Sequence, residues 1–287
     1  MNLRTARLVI ALDAKRVAQT PKAFVNWPTV LKDLAAEKLG RGPEELHFQT
    51  RGGLKINTPN RPGARVPIYE IFAEDCYRLN WFVGGLADHA FNVVDIGGHV
   101  GTFACRLAQL FPQATIHSFE PSATTAEFYR RNVEQNGFGG RVIVAQKAVA
   151  REEGIAIFDD NGAGSGTNGL VKDGSRLVDV DYNHASGRTV EVATVGFDAV
   201  MADFDGPVEV VKIDCEGAEY DLIYGSKPET WDPVRRLVLE YHEVDDNSWD
   251  ELKAYFAARG LNVVRHEPVN DRLGTAWLSR DPLGPEH

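Results

Sequence analysis

The sequence is short of several things, and each shortage closes off a class of protein. Only three cysteines occur in 287 residues, Cys76, Cys105 and Cys215, with no C-x-x-C spacing. An odd, scattered set argues against a disulfide framework or a zinc knuckle. It fits a reducing compartment, so a cytoplasmic protein is expected. Basic residues are outnumbered, 31 Lys and Arg against 41 Asp and Glu, for a formal charge of -10. A nucleic-acid partner needs clustered cations to neutralise phosphates and is not expected. Long apolar runs are missing too. The longest early one, "LVIAL" at residues 8–12, is too short for a signal core and far too short to span a bilayer, so no membrane insertion is expected. No heptad run or internal repeat is visible.

What is present is a regular alternation from residue 91 onward. Strand-like runs at 91–96, 115–120, 141–149, 208–214, 235–242 and 261–267 are separated by helical patterns at 102–111, 123–137, 218–226 and 249–260. Such alternation predicts an α/β fold, a doubly wound and mostly parallel sheet with helices on both faces. A further run at 275–280 can pair antiparallel beside the sixth strand. Upstream, residues 3–39 carry two helical patterns, the second from Thr29 to Leu39. Residues 45–59 read as a hairpin around Gly52-Gly53, and "VPIYEIFAEDCYRLNWFVGG" as one helix with an aromatic stripe. The expected organisation is a helical and hairpin extension over 1–65, serving as a cap, an arm for a homodimer or a pocket wall, followed by the main domain over 66–287. The Gly- and Asn-rich stretch 159–177 reads as a surface loop or a substrate-side lid, with the Ser165 and Thr167 hydroxyls able to reach a substrate.

The most informative stretch is "FNVVDIGGHVGTFACRLAQLFPQATIHSFEP", a strand, a glycine turn, a helix and a strand ending in an acid. The glycines Gly97, Gly98 and Gly101 do not make the G-x-G-x-x-G of a dinucleotide site. The spacing is Asp95-x-Gly97-x-x-x-Gly101. A carboxylate at Asp95 would repel a pyrophosphate but can hold a cationic amino group, directly or through water. S-adenosylmethionine carries such a group and no phosphate. Glu120, ending the next strand, can accept both ribose hydroxyls of an adenosine, as acids at that position do in nucleotide-binding folds. Tyr77, Trp81 and Phe82 are candidates to roof the adenosine, or else core.

With "VVDIGGHVG", "SFEPSATTAEFYRRNVEQNGF", "VIVAQKAVA", "VEVVKIDCEGAEYDLI" and "RRLVLEYHE" in that order, the sequence resembles the FkbM family of class I S-adenosylmethionine-dependent methyltransferases over roughly residues 66–280. The resemblance implies a seven-stranded Rossmann-like sheet, S-adenosylmethionine as methyl donor and a hydroxyl acceptor on a sugar, glycan or secondary-metabolite scaffold. It implies donor contacts at Asp95, Gly97, Gly98, His99, Gly101, Glu120, Ala148 and Asp214, with Ala148 at the adenine edge. In the family's turn Ala and Asn often stand where this chain has Gly98 and His99.

Ligands of a doubly wound sheet bind outside the carboxyl ends of its strands. There Asp214, Glu216, Glu240 and His242 are expected to build the acceptor side. Period-two alternation puts Glu240 and His242 on one face, and Lys212 and Asp214 on one face of the neighbouring strand; Glu216 and Glu219 can equally be first-turn acids that favour a helix dipole. His242 is the candidate general base for a hydroxyl, with Glu240 or Glu216 fixing its tautomer. The rival use of the same residues is a divalent metal on Asp214, Glu216 and Glu240, polarising the acceptor's hydroxyls. An amine or carboxylate acceptor, a nicotinamide oxidoreductase and a non-catalytic S-adenosylmethionine-binding module complete the alternatives.

Overall fold

The computed structural model describes residues 14–160, 162, 169–172, 175–176, 189–243 and 247–286. A helix over 14–23 (α1) leads to α2 (Trp27–Lys38), a hairpin of β1 (Glu45–Gln49) and β2 (Lys55–Pro59), and helices α3 (Pro62–Phe72) and α4 (Leu79–Val83). The regular part follows as β3 (Phe91–Ile96), α5 (Thr102–Leu110), β4 (Ala114–Phe119), α6 (Ala123–Gln135) and β5 (Val142–Ala145). Next come β6 (Ala148–Ala150), β7 (Gly154–Asp159), β8 (Gly169–Lys172), β9 (Ser175–Arg176), β10 (Thr189–Gly196) and α7 (Phe197–Ala202). The chain closes with β11 (Val208–Ile213), α8 (Glu219–Gly225), β12 (Val234–His242), α9 (Trp249–Ala257), β13 (Asn262–Pro268) and β14 (Leu273–Ser279).

The main sheet has seven strands in the order β13-β14-β12-β11-β3-β4-β5. The pairs from β12 to β5 are parallel, and β14 runs antiparallel between β12 and β13. This is the doubly wound, mostly parallel sheet expected, with the last run inserted inside the sixth strand. The central strands are buried on both faces, so neighbouring residues feed different cores. Val93, Val210 and Val238 join one core with Phe103 and Leu107; Val94, Val211 and Leu239 join the other with Trp231 and Phe256. Strand order reverses at β3, which has β4 on one side and β11 on the other. That places the ligand crevice at the carboxyl ends of β3, β4 and β11.

The extension packs into the first of those cores. Phe24, Phe48 and Tyr69 form an aromatic cluster, Phe24 and Phe48 with centroids 4.8 Å apart. Asn132 of α6 clasps β2 in both directions, accepting from the Asn57 N–H at 2.8 Å and donating to its carbonyl at 2.9 Å. A division at residue 65 falls inside α3.

Three readings are corrected. The run 141–149 is two strands: β5 belongs to the main sheet, whereas β6 pairs with β10 in a separate five-stranded sheet ordered β6-β10-β7-β8-β9. The break at Gln146-Lys147 carries the chain across the crevice. The stretch 66–85 is not one helix, because Asp75 and Arg78 take left-handed backbone conformations, φ 50° and 52°, between α3 and α4. The Gly-rich stretch contains β8 and β9, while Ser165 and Thr167 lie outside the described residues. The second sheet was missed although "GIAIFD" and "TVEVATVG" pair in register, Ile155 opposite Ala193 and Ile157 opposite Glu191.

Candidate active site

The turn after β3 is shaped by its backbone. The Gly97 and Gly98 N–H groups both donate to the Phe119 carbonyl, at 3.1 and 3.0 Å, tying the turn to the end of β4. Gly97 has φ +80°, and a Cβ there would sit 1.7 Å from the Asp214 carbonyl oxygen, so glycine alone is accommodated. Gly98 and Gly101 serve packing: a Cβ on either would strike the Tyr129 ring. His99, also left-handed at φ 50°, donates its N–H to Glu120 Oε2 at 2.9 Å, and the Ser122 N–H donates to Oε1 at 2.9 Å. Burial pushes the Glu120 carboxyl up to about 8 against the pull of those two N–H groups.

Glu120 floors a cleft of about 730 Å³, open solvent at its mouth included. Gly97, His99, Thr125, Ala148, Asp214 and Glu216 also line it, with apolar walls from Ile96, Phe119, Pro121, Val149, Phe158 and Leu170. Lys147 is the cation in this lining, against the carboxyl groups of Glu120, Asp214 and Glu216. Three carboxyl groups to one cation is a lining unlike the cationic cradle that a pyrophosphate needs. An apolar slot ending in a carboxyl group, with Glu120 and Ala148 both in its lining, has the character of a nucleoside site.

Asp95 does not reach that cleft. It is fully buried; its Oδ2 accepts from Ser118 Oγ at 2.7 Å and Tyr129 Oη at 3.2 Å, and its Oδ1 lies 3.4 Å from Lys212 Nζ. The ammonium contact expected of it is thus occupied by the protein's own lysine. Lys212 Nζ also donates to the carbonyls of Gly97 at 2.6 Å and Ile96 at 3.1 Å, and stands 3.5 Å from Asp214 Oδ2. Burial works against its charge, but the Asp214 and Asp95 carboxylates hold its pKa above the ordinary lysine value. The Asp95–Lys212 pair is the post on which the turn rests. Tyr77, Trp81 and Phe82 do not roof the cleft. Tyr77 is buried and donates to Asp214 Oδ2 at 3.0 Å, Phe82 is core, and Trp81 Nε1 donates to the Gly284 carbonyl.

The second half of the site lies where β11 and β12 end. Asp214 and Glu216 line the cleft, and Glu240 and His242 stand beside them on one face of β12, as alternation requires. The chain after Asp214 curls through two left-handed residues, Glu216 at φ 55° and Gly217 at φ 97°. The curl aims the Cys215 and Gly217 N–H groups at Glu219 Oε1, at 3.0 and 3.1 Å. His242 Nδ1 is 3.3 Å from the same oxygen, while Nε2 is 3.7 Å from Glu216 and 3.9 Å from Glu240. The carboxylate on Nδ1 is therefore Glu219, in place of the expected Glu240 or Glu216.

Burial alone would lower the His242 pKa; Glu219 foremost, then Glu216 and Glu240, outweigh it and raise it to about 10. Burial pushes Glu216 up to about 8 despite His242, and Glu240 well above the carboxylate range, helped by Asp214. Glu70 of α3, repelled by Asp214 and Glu74, rises to about 7, also chiefly by burial. Among the described residues no group of three or more His, Cys, Asp or Glu could hold an ion. The carboxylates of Asp214, Glu216 and Glu240 are instead gathered around Lys212 and His242.

Sequence reasoning gave Lys212 no role, passed over Ser118, Tyr129 and Glu70, and offered for Glu219 only the reading of a first-turn acid. The alternation in "KID", which puts Lys212 on the face of Asp214, was the available signal for the first. No local pattern marks Ser118 or Tyr129, whose partner Asp95 lies 23 and 34 residues away.

A family model, the methyltransferase FkbM domain, matches residues 95–263, more than half of the chain. Methyltransferase 1 of Beauveria bassiana is 32% identical over 209 residues, covering 69% of this chain and 81% of the relative. The 31-O-demethyl-FK506 methyltransferase FkbM of Streptomyces tacrolimicus is 28% identical, covering 75% and 88%. Among solved structures, the METTL16 methyltransferase domain aligns with a TM-score of 0.47 at 14% identity, covering 81% of this chain and 75% of that one. No helix among the described residues is long and apolar enough to cross a membrane. With this family match over the crevice and both strand-end motifs, the chain belongs to the FkbM methyltransferase family and is an S-adenosylmethionine-dependent methyltransferase.

Proposed function

We propose that the enzyme methylates a hydroxyl oxygen of a small-molecule acceptor, a sugar or a polyketide-like scaffold, with His242 taking the hydroxyl proton. The carrying observation is the placement of His242 Nε2 beside Glu216, which itself lines the donor cleft. S-adenosylmethionine supplies a methyl group on a cationic sulfur that departs as a neutral thioether, so the protein's task is alignment and proton removal. Asp214 and Glu216 stand between the two halves and are read as the groups that orient the acceptor. The relative from Streptomyces tacrolimicus is named for O-methylation, which favours oxygen. A carboxylate acceptor is disfavoured, since it would meet Asp214, Glu216 and Glu240. The extension is read as pocket wall, because α3, which it holds in place, brings Pro67 to the cleft.

In the free protein His242 holds its proton at neutral pH. Positive charge brought into a cleft lined by Glu216 works against the imidazolium, so donor binding readies the ring to act as base. The test is His242→Gln, assayed by mass spectrometry against hydroxylated glycosides and macrolides. Turnover should fall by about 100-fold or more, with affinity for S-adenosylhomocysteine retained. Undiminished turnover would remove His242 from the chemistry, and methyl found on nitrogen in the product would overturn the choice of oxygen.

A further inference from the structure

We propose that Glu219 is the positioning residue of the reaction, the carboxylate that fixes the tautomer and direction of the His242 ring. The inference rests on the reading of His242 as base and deepens it.

Glu219 has no exposed surface. Its two oxygens are held by main-chain donors: the Cys215 N–H reaches Oε1 at 3.0 Å, and the Gly217 N–H reaches Oε1 at 3.1 Å and Oε2 at 3.0 Å. Those bonds fix the carboxylate before the histidine is considered. His242 Nδ1 then lies 3.3 Å from Oε1. An ionised carboxylate only accepts, so Nδ1 carries a hydrogen and Nε2 is left as the nitrogen that exchanges its proton. Nε2 faces Glu216 at 3.7 Å and Glu240 at 3.9 Å, on the acceptor side.

A structural account of Glu219 as a loop cap explains only part of this. A glutamine carbonyl would accept the same backbone N–H groups without burying a charge, and an unpaired buried charge is strongly unfavourable. The partner that makes a charge tolerable here is the imidazole. The strained backbone agrees: Glu216 holds a left-handed conformation that a side chain rarely adopts, at φ 55°, and its carboxylate meets the other ring nitrogen. Strain of this kind persists where the surroundings over-determine it. The run Asp214-Cys215-Glu216-Gly217-Ala218-Glu219 thereby acquires a reason for its spacing. Gly217 makes the curl, Glu216 faces Nε2, and Glu219 returns beneath both to hold Nδ1. An acid that orients a histidine base without taking its proton is the division of labour seen in hydrolase triads.

Nitrogen-15 NMR of histidine-labelled protein tests the pairing directly, with the His242 signal among eight histidines assigned by its loss in His242→Gln. Titrated past its raised pKa of about 10, the ring should lose the proton on Nε2 and keep the one on Nδ1, and a neutral ring protonated on Nε2 overturns the proposal with no variant required. Glu219→Gln, which keeps a carbonyl for the backbone donors, should lower turnover on the order of 100-fold. The acceptor KM and S-adenosylhomocysteine affinity should stay within about twofold, and the ascending limb of the kcat/KM pH profile, which the base sets, should move to lower pH. A purely structural role would leave that limb in place. Loss of rate in His242→Gln but not in Glu219→Gln overturns the positioning role alone. Unchanged rates in both overturn the reading of His242 as base on which it rests.

Discussion

At the β3–β4 end of the cleft the groups that shape the site are main-chain groups. The N–H groups of Gly97 and Gly98 hold the Phe119 carbonyl, and those of His99 and Ser122 hold Glu120. At the β11–β12 end the same job is done largely by side chains, with Lys212, Asp214, Glu216, Glu219 and His242 steering one another. A main-chain site tolerates a change of side chain that leaves the turn intact, as at His99, whose contact with Glu120 is made by its backbone N–H. It does not tolerate a change of backbone. A side-chain site behaves the other way, keeping its fold under substitution while its charge balance fails.

The comparison is broken most severely by Gly97→Ala. The new methyl group would sit 1.7 Å from the Asp214 carbonyl at a φ of +80°, so the turn must move and drag both halves with it. Loss of S-adenosylhomocysteine binding is expected, together with destabilisation of at least about 2 kcal/mol. Calorimetric titration and chemical denaturation read the two effects. Wild-type affinity in this variant would mean that the donor does not sit against this turn.

Glu120→Gln sharpens the contrast. On the reading that two ribose hydroxyls draw Glu120 into its anionic form, the substitution should weaken S-adenosylhomocysteine binding by roughly 10- to 100-fold, the worth of hydrogen bonds to a charged group, while turnover at saturating donor changes little. His242→Gln should give the opposite split. A variant of Glu120 that lost turnover and kept affinity would exchange the roles of the two ends.

The division between the halves also governs what could be read in advance. The order of the main strands, the glycine turn and Glu120 follow from local patterns, since a turn and the strand it leaves are continuous in sequence. Gly97, His99, Ala148, Asp214 and Glu216, singled out from the motifs and from the family resemblance, line the cleft. Asp95 was misread because its fate is set by Lys212, which lies on another strand 117 residues away and enters the same small space. Glu219 was taken as an acid favouring the start of α8, although its carboxylate turns back to His242 on β12. Periodicity reports which face a residue occupies. It does not report which of several carboxylates on that face wins a given nitrogen, because tenths of an ångström decide it. The second sheet was missed for another reason: its two longer strands are half-exposed and the Gly-rich stretch lies between them, which hides their pairing.

The smallest effect is expected from pH, and it separates the two ends without any mutation. Every group at issue has its pKa raised on folding: Glu120 and Glu216 to about 8, Glu70 to about 7 and His242 to about 10. A raised pKa means the folded state holds its proton longer than the unfolded chain does, so stability falls as pH rises between the two values. For the carboxyls that window opens near their ordinary value of 4.5 and closes near 7 to 8. For His242 it opens near 6.5 and closes near 10. The melting temperature should therefore fall steadily from about pH 5 to pH 10. Saturating S-adenosylhomocysteine gives the Glu120 anion its hydroxyl partners, and this should flatten the slope below pH 8. The slope between pH 8 and 10 should persist, since it belongs to His242 and its carboxylates. A melting temperature that rises from pH 7 to 9 would contradict the burial of these carboxyls. A ligand that flattens both segments equally would show that the two ends titrate as one unit, and the distinction between a main-chain end and a side-chain end would then not hold.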